Sequence, residues 1–550
     1  MIQVGVICRT YSTYPTPLRL KRRNGHSHDL MAADTNRRCS IQMPLFEKLS
    51  TEVLILIFNE LRNIDPRALA SARRLSRRIE TIVTPILFES ICLNERIVSL
   101  ETETYFPRMI QGLCSFTKHV EVKSDLDPVS TSRLLNRLHR LSSLRYIYPI
   151  QVFHIANVCC RWRYVGTHHS GYFSTPSNIL SLNHINRSSI KVYIDDLPLH
   201  GFGSDSHDIG LQAIPTLNLV SLKMGAPIPS LTTHLDSLKR LLVEAWSIET
   251  FHYNDRGQGT QFSFQESERL PAFQELSLRS YDWNHSSDEV TKHWDFSRLR
   301  QLTLIDVPLF PFLNSISFSQ LRQLQVLHCE DFSTHLPDRR SDATGELYKL
   351  ILQIRSLHTL KVTCHTTLFP ISGLICHADS LRVLSFRDYV GFGDERWQCP
   401  TLSIEDLSLL SNRLICLRTI ELDMDATLCE PDMFLGVLCN FLQLDTLILH
   451  TQTVLQASEE SQVSVDPDYD AVMKILSGLT GGKKGRSWRS ITVNVGGWKP
   501  VMVRRISEAW QQQNRRGFFA ERRFVLEKDA ATGDMTVREN VGVDNNTIYG

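Results

Sequence analysis

Apolar positions along the chain follow two different rhythms. From Leu49 to Leu61 they crowd together, in the text Leu49-Ser50-Thr51-Glu52-Val53-Leu54-Ile55-Leu56-Ile57-Phe58-Asn59-Glu60-Leu61. Ser50 or Thr51 can accept the free N–H groups of a helix start, and Glu52 suits the first turn. At 100° per residue Val53, Leu54, Ile57, Phe58 and Leu61 share one broad face, with Ile55 and Leu56 on the other. A helix apolar nearly all round is expected to be buried nearly all round. Asn63-Ile64-Asp65-Pro66 then reads as a turn into a second helix, capped by Asp65 with Pro66 at its first position. That helix carries Leu69, Ala72 and Leu75 on one face. A third apolar stretch, Ile79 to Val83, is expected to stop before Pro85.

From 110 to 495 the rhythm changes to a short recurring text, Leu-x-x-Leu-x-Leu. It opens at Leu238, Phe273, Leu299, Leu321, Leu357, Leu381, Leu417 and Leu444, with weaker copies near Phe116, Leu144, Leu219 and Trp488. Alternating apolar positions mark short strands with one buried face. Helical text precedes many of them, over 128–141, 345–354, 404–414, 432–442 and 468–479. Helix–strand units at such intervals cannot close their own cores, so neighbours must stack. The reading is an α/β chain: a small all-α module at 45–92, then an array at 110–495 with a parallel sheet. A helix at 501–514 and a hairpin, Arg522 to Leu526 with Met535 to Arg538, would cap the array within 496–540, leaving 541–550 frayed.

The helical module cannot stand alone. Some 45 residues are marginal without disulfides, metal or a partner. A partner protein or a larger domain is expected to cover its spare face.

Those residues resemble an F-box. The family opens Leu-Pro-x-Glu-[Ile/Val/Leu]-Leu-x-x-Ile-Phe-x-x-Leu, and Leu49, Glu52, Val53, Leu54, Ile57, Phe58 and Leu61 stand in register with it, with Ser50 where the family has Pro. Ser76-Arg77-Arg78-Ile79 and Thr84-Pro85-Ile86-Leu87-Phe88 look like later parts of the fungal-type version. The array is similar to leucine-rich repeats in an irregular form, a solenoid with its sheet on a concave face. The family's Asn or Cys, three residues after the third Leu, is matched by Cys329; Val307, Tyr389 and Asp425 stand there in other copies.

Together the two resemblances imply a substrate-recognition subunit of an SCF-type cullin–RING ubiquitin ligase. The F-box would dock a Skp-family adaptor, and through it a cullin, while the repeats hold a protein substrate. The implied adaptor-binding residues are Leu49, Val53, Leu54, Ile57, Phe58 and Leu61, with Leu69 and Leu75 shared with the internal core. The x residues of the strand text are the readable surface, which nominates Arg300, Arg322, His358, Lys361, Arg382 and Arg418 for substrate. The alternative is a protein-interaction scaffold that uses both parts without ubiquitin transfer.

Composition narrows this further. The 550 residues carry net charge +1, unlike the basic surface of a generalised nucleic-acid binder. About 70 leucines are largely absorbed by the periodic text. No apolar run approaches the roughly 18–20 residues of a membrane span. The 13 cysteines include no Cys-x-x-Cys, so a zinc module or disulfide framework is not expected, and reduced core thiols in a cytoplasmic or nuclear protein are. Residues 1–42 are basic, with Lys21-Arg22-Arg23, and read as a disordered extension. Gly478-Leu479-Thr480-Gly481-Gly482-Lys483-Lys484-Gly485 misses phosphate-loop spacing. His168-His169 and His26-Ser27-His28 have no ligand partners at metal spacing, and no nucleophile motif occurs. Neither intrinsic catalysis nor a cofactor is expected.

Overall fold

The computed structural model describes residues 48–99, 107–123, 125–148, 190–197, 211, 214–225, 235–255, 260–330, 339–389, 398–452, 467–495, 522–528 and 534–541. The basic extension, the helix expected at 501–514, the tail beyond 541 and the histidine pairs at 26–28 and 168–169 lie outside them. The chain divides into two compact units, Met1–Asp195 with Gln212–Asn218, and Asp196–Leu211 with Leu219–Gly550.

The first unit begins with three helices, α1 (Thr51–Ile64), α2 (Pro66–Ala72) and α3 (Arg77–Glu89). Each start is capped by the residue before it. The Ser50 side chain accepts from the Val53 N–H, Asp65 from the N–H groups of Arg67 and Ala68, and Ser76 from Ile79. Helix α3 does not stop before Pro85, as the sequence suggested, but runs through it to Glu89. A proline inside a helix costs about 3 kcal/mol. Ile86 and Phe88 beyond it are both buried, and two such side chains return about 1.5–3 kcal/mol each. Four strands follow, β1 (Ser90–Cys92), β2 (His119–Lys123), β3 (Ser143–Ile147) and β4 (Lys191–Leu197), each parallel to the next, with helices Pro107–Phe116 and Pro128–Arg137 between them.

The second unit repeats one arrangement. Strands β5 (Leu219–Met224), β6 (Thr250–Asn254), β7 (Glu275–Arg279), β8 (Gln301–Ile305), β9 (Val326–Glu330), β10 (Thr359–Cys364), β11 (Val383–Asp388), β12 (Thr419–Met424), β13 (Thr446–Thr451) and β14 (Ser490–Val495) lie side by side, in parallel, in chain order. Strands β15 (Arg522–Lys528) and β16 (Met535–Val541) close the series antiparallel. The register aligns Leu222, Phe251, Leu276, Leu302, Leu327, Leu360, Leu384, Ile420, Leu447 and Ile491 in one lateral row. None is more than 1% exposed. Helices such as Arg340–Gln353, Ile404–Arg413, Pro431–Leu438 and Pro467–Gly482 connect strands, and Leu347, Leu350, Leu407, Leu410, Leu435 and Leu438 are buried on them.

Register corrects three readings of the repeated text. Leu238 to Val243 lies in the helix Leu235–Glu244, not a strand: Leu238, Leu241 and Leu242 fall on one helical face. The strand in that repeat is β6, where Phe251 and Tyr253 stand in leucine places. In the next case the frame starting at Leu321 is three residues early. Leu327, not Leu324, aligns with Leu302, so the repeat begins at Leu324. Arg322 therefore sits in the turn before it. Cys329 is also moved: it pairs laterally with Leu304 and Val362 as a core residue, rather than taking the Asn/Cys place.

Strand ends share a device that the leucine pattern does not reveal. Asp196, Ser280 and Asp306 have φ of 59°, 53° and 54°, each two residues after an apolar strand position. The Ser280 N–H donates to Ile305 O, Asp306 N–H donates to Glu330 O, and Ser280 Oγ donates to the Asp306 carboxylate at 3.0 Å. Asp and Ser tolerate this left-handed backbone because their short side chains bond locally.

Candidate interaction surfaces

The helical module closes its own core on one side of α1. Leu54, Phe58, Leu69, Ala72, Ile79, Val83 and Ile86 form it, with Leu49, Leu61, Ile82 and Leu87 packed partly against it. The broad face expected to meet a partner is thus split. Leu54 and Phe58 turn inward, at 0% and 1% exposure, and Leu69 is wholly internal. Val53 and Ile57 stay outside at 42% and 36%, joined by Ile55 at 40% and Leu56 at 67%. The last two were not on the predicted face. Leu75, expected in the core, is 68% exposed because helix α2 ends at Ala72 and the chain turns away. The helix apolar all round is therefore buried on one side only.

Ion pairs fix the far end of the module. Arg62 reaches Glu89 at 3.0 Å and the Ile86 carbonyl, and Lys118 meets the same carboxylate at 3.0 Å. The Lys118 hydrogen bond, helped by Arg62, holds the Glu89 carboxyl below the usual range. These are half-exposed pairs, so each contributes little stability but sets where α3 meets β1 and β2.

On the second unit the nominated substrate residues separate by position. Arg300, His358, Arg382 and Arg418 occupy the same place in their repeats, the residue entering the strand. Backbone hydrogen bonds link them laterally: Gln325 N–H to Arg300 O, His358 to Gln325, Arg382 to His358, Arg418 to Arg382, Asp445 to Arg418 and Arg489 to Asp445, all at 2.7–3.0 Å. Neighbouring positions are thus one strand spacing apart, about 4.8 Å. Lys361 lies within β10, flanked by His328 and Ser385. Arg322 is outside the row, as its frame requires, and its carbonyl accepts from Arg355 N–H.

Deeper along the same strands a polar row is closed rather than open. Thr363, Arg387, Asp423, His450 and Asn494 are lateral neighbours across β10–β14. Arg387 Nε donates to Asp423 Oδ1 at 2.9 Å, and the other Asp423 oxygen accepts from the Asp388 N–H. His450 Nε2 meets Glu421 at 2.8 Å. Burial, with Arg387 nearby, pushes the His450 imidazole down, so at neutral pH it is uncharged and donates to the carboxylate. Asp425, at the place of the repeat family's Asn, accepts from Cys399 N–H and from both Thr427 N–H and Oγ1. No sequence pattern announced this network, since its members come from strands 20 to 40 residues apart. The Cys364 and Cys399 thiols beside it are raised well above their ordinary range by burial. Among the described residues no group of three or more His, Cys, Asp or Glu is placed to hold a metal, and no helix is long and apolar enough to cross a membrane.

The glycine-rich loop is structural. Gly485 has φ of 75°, and a Cβ there would lie 2.5 Å from the Leu442 carbonyl oxygen. Lys483 donates to Phe441 O and lies over the Trp488 ring at 4.7 Å.

No family model matches the chain, and no curated protein matches it. Among solved structures it is similar to the leucine-rich repeat-containing protein LegL7 from Legionella pneumophila, at 16% identity and a TM-score of 0.24, over 71% of this chain and 98% of that one.

Proposed function

We propose that the chain is an F-box protein with an irregular leucine-rich-repeat solenoid, and that it serves as the substrate-recognition subunit of an SCF-type cullin–RING ubiquitin ligase. The observation that carries the reading is the exposed apolar stripe of α1. Val53, Leu56 and Ile57 face outward on a module whose core is already complete without them. A contiguous apolar surface on so small a module marks a protein-binding site. The register of Leu49, Glu52, Val53, Leu54, Ile57, Phe58 and Leu61 with the F-box opening makes a Skp-family adaptor the partner. In the solenoid, the entry row Arg300, His358, Arg382 and Arg418, with Lys361, is the proposed substrate-facing set. Ubiquitin transfer would then proceed by proximity, with the reacting groups supplied by the other subunits.

Co-purification of the full chain with adaptor and cullin tests this. The wild type should retain both, and Ile57→Asp should lose both while keeping its helical circular dichroism. Equal retention by wild type and variant defeats the assignment of this face. Retention of adaptor without cullin supports the scaffold reading instead.

A further inference from the structure

A chain of net charge +1 has no reason to place many cations on one rim unless charge is being sorted. The rim where strands β8–β12 begin shows such sorting. In the loops leading into β9–β12, Arg322, Arg355, Arg382 and Arg418 stand against a single carboxylate, Asp379. All four arginines are exposed. Arg300, Arg382 and Arg418 form no ion pair among the described residues. Asp445, the next member of the row, is buried and already engaged by Arg486 at 3.1 Å. Arg413 sits in the last turn of its helix, where a cation also offsets the helix dipole. Arg322 caps the short helix Phe318–Leu321 and Arg355 directly follows the end of Arg340–Gln353, so the same offset reaches them, but Arg382 and Arg418 lie farther from any helix end.

Apolar side chains are interleaved with these cations. Ile415 and Leu442 are both 59% exposed, and each lies three residues before its repeat's entry residue, Arg418 or Asp445. No exposed aromatic ring lies in these loops. A single-stranded nucleic acid would use aromatic stacking platforms, which these loops lack, whereas arginine is among the residue types enriched at protein-binding hot spots.

We propose that this rim binds an acidic segment of a partner protein, with carboxylates on Arg382 and Arg418 and an apolar side chain between Ile415 and Leu442. The inference rests on the reading of the repeats as a recognition surface and names the chemical class of what they recognise. Guanidinium groups pair bidentately with carboxylates, and rim charges of this kind govern partner choice and salt dependence.

Fluorescence anisotropy of the full chain with a labelled Glu-rich peptide carrying leucines tests it. A Lys-for-Glu version of the peptide and labelled oligo-dT serve as comparisons. The wild type should bind the acidic peptide in preference to both. The double variant Arg382→Glu/Arg418→Glu should weaken binding by about tenfold or more, and raised salt should weaken the wild type in the same direction. Ile415→Asp should also weaken it, while Arg140→Glu in the first unit should not. All these positions are exposed, and an unchanged circular dichroism spectrum and melting midpoint establishes that each variant is folded. Failure of the wild type to bind the peptide, or unchanged binding by the rim variants, overturns the proposal. So does oligo-dT binding as tightly with Ile415→Asp silent, which would mark a plain polyanion surface. Adaptor capture is measured separately, so its loss removes the ligase reading without touching this result.

Discussion

Single residues in this chain do work that their type alone does not announce. Ser50 stands where the F-box opening has proline, and its hydroxyl oxygen caps α1 by accepting from Val53. Proline at that position could offer no such bond, so the helix start is secured by side-chain chemistry instead of a fixed φ. His285 is buried against Phe264, Trp283 and Trp294 and bonded to the Tyr281 hydroxyl at 2.8 Å. Burial pushes its imidazole down to about 4. The folded value lies below the unfolded one near 6.5, so on acidification the unfolded chain takes up the proton first. The stability that depends on neutral His285 is complete above pH 6.5 and is lost as pH falls from there toward 4, by about 1.4 kcal/mol per pH unit. His377 and His450 shift in the same direction, also through burial. Urea midpoints measured at pH 7 and pH 5 should show the loss, and His285→Gln should shrink the difference. An undiminished pH difference in the variant would show that His285 is not its source.

At the level of elements, one helix carries two opposed surfaces, and substitutions on them should separate. Phe58 is at the centre of the module's core, and Phe58→Ala should cost about 3–5 kcal/mol. Leu56 is two-thirds exposed, so Leu56→Ser should leave stability within about 0.5 kcal/mol yet reduce adaptor capture. Thermal melts paired with co-purification give both numbers. If Leu56→Ser captures adaptor normally, the partner does not sit on this face. The faces were only partly legible from the text. Periodicity placed Val53, Leu54, Ile57, Phe58 and Leu61 together, but the angle at which α2 and α3 cross α1 chose Leu54 and Phe58 for the interior. The repeats teach the same lesson. Leu321-Arg322-Gln323-Leu324-Gln325-Val326 fits the text as well as the frame three residues later does. Only lateral pairing with β8 decides for the later frame, because a one-step error in register exposes an entire buried row.

For the second unit taken whole, stability is a sum over neighbours, since β6–β14 each pair with the strands before and after. The antiparallel hairpin β15–β16 covers β14, with Leu526 opposite Ile491 and Phe524 opposite Val493, and both Phe524 and Leu526 are buried. Truncation before Arg522 would leave that edge open. Amide exchange should then accelerate in β13 and β14 while β7 and β8 keep their protection. Uniform loss of protection across β7–β14 would instead mean that the unit folds as a single cooperative block.

Some properties of this protein were decided by local text and some were not. Helix starts, the existence of the strand series, the terminal hairpin and the mixed α/β character followed from caps and apolar periods, because those signals act within a few residues. Aromatic rings in leucine places hid β6, and two apolar frames separated by three residues hid the true position of Cys329. Burial of Leu54 and Phe58, the left-handed turns at Ser280 and Asp306, the Arg387–Asp423 pair and the alignment of Arg300, His358, Arg382 and Arg418 were settled only by tertiary structure. Each depends on residues brought together from neighbouring repeats or helices, and no local period encodes which neighbour a side chain will meet.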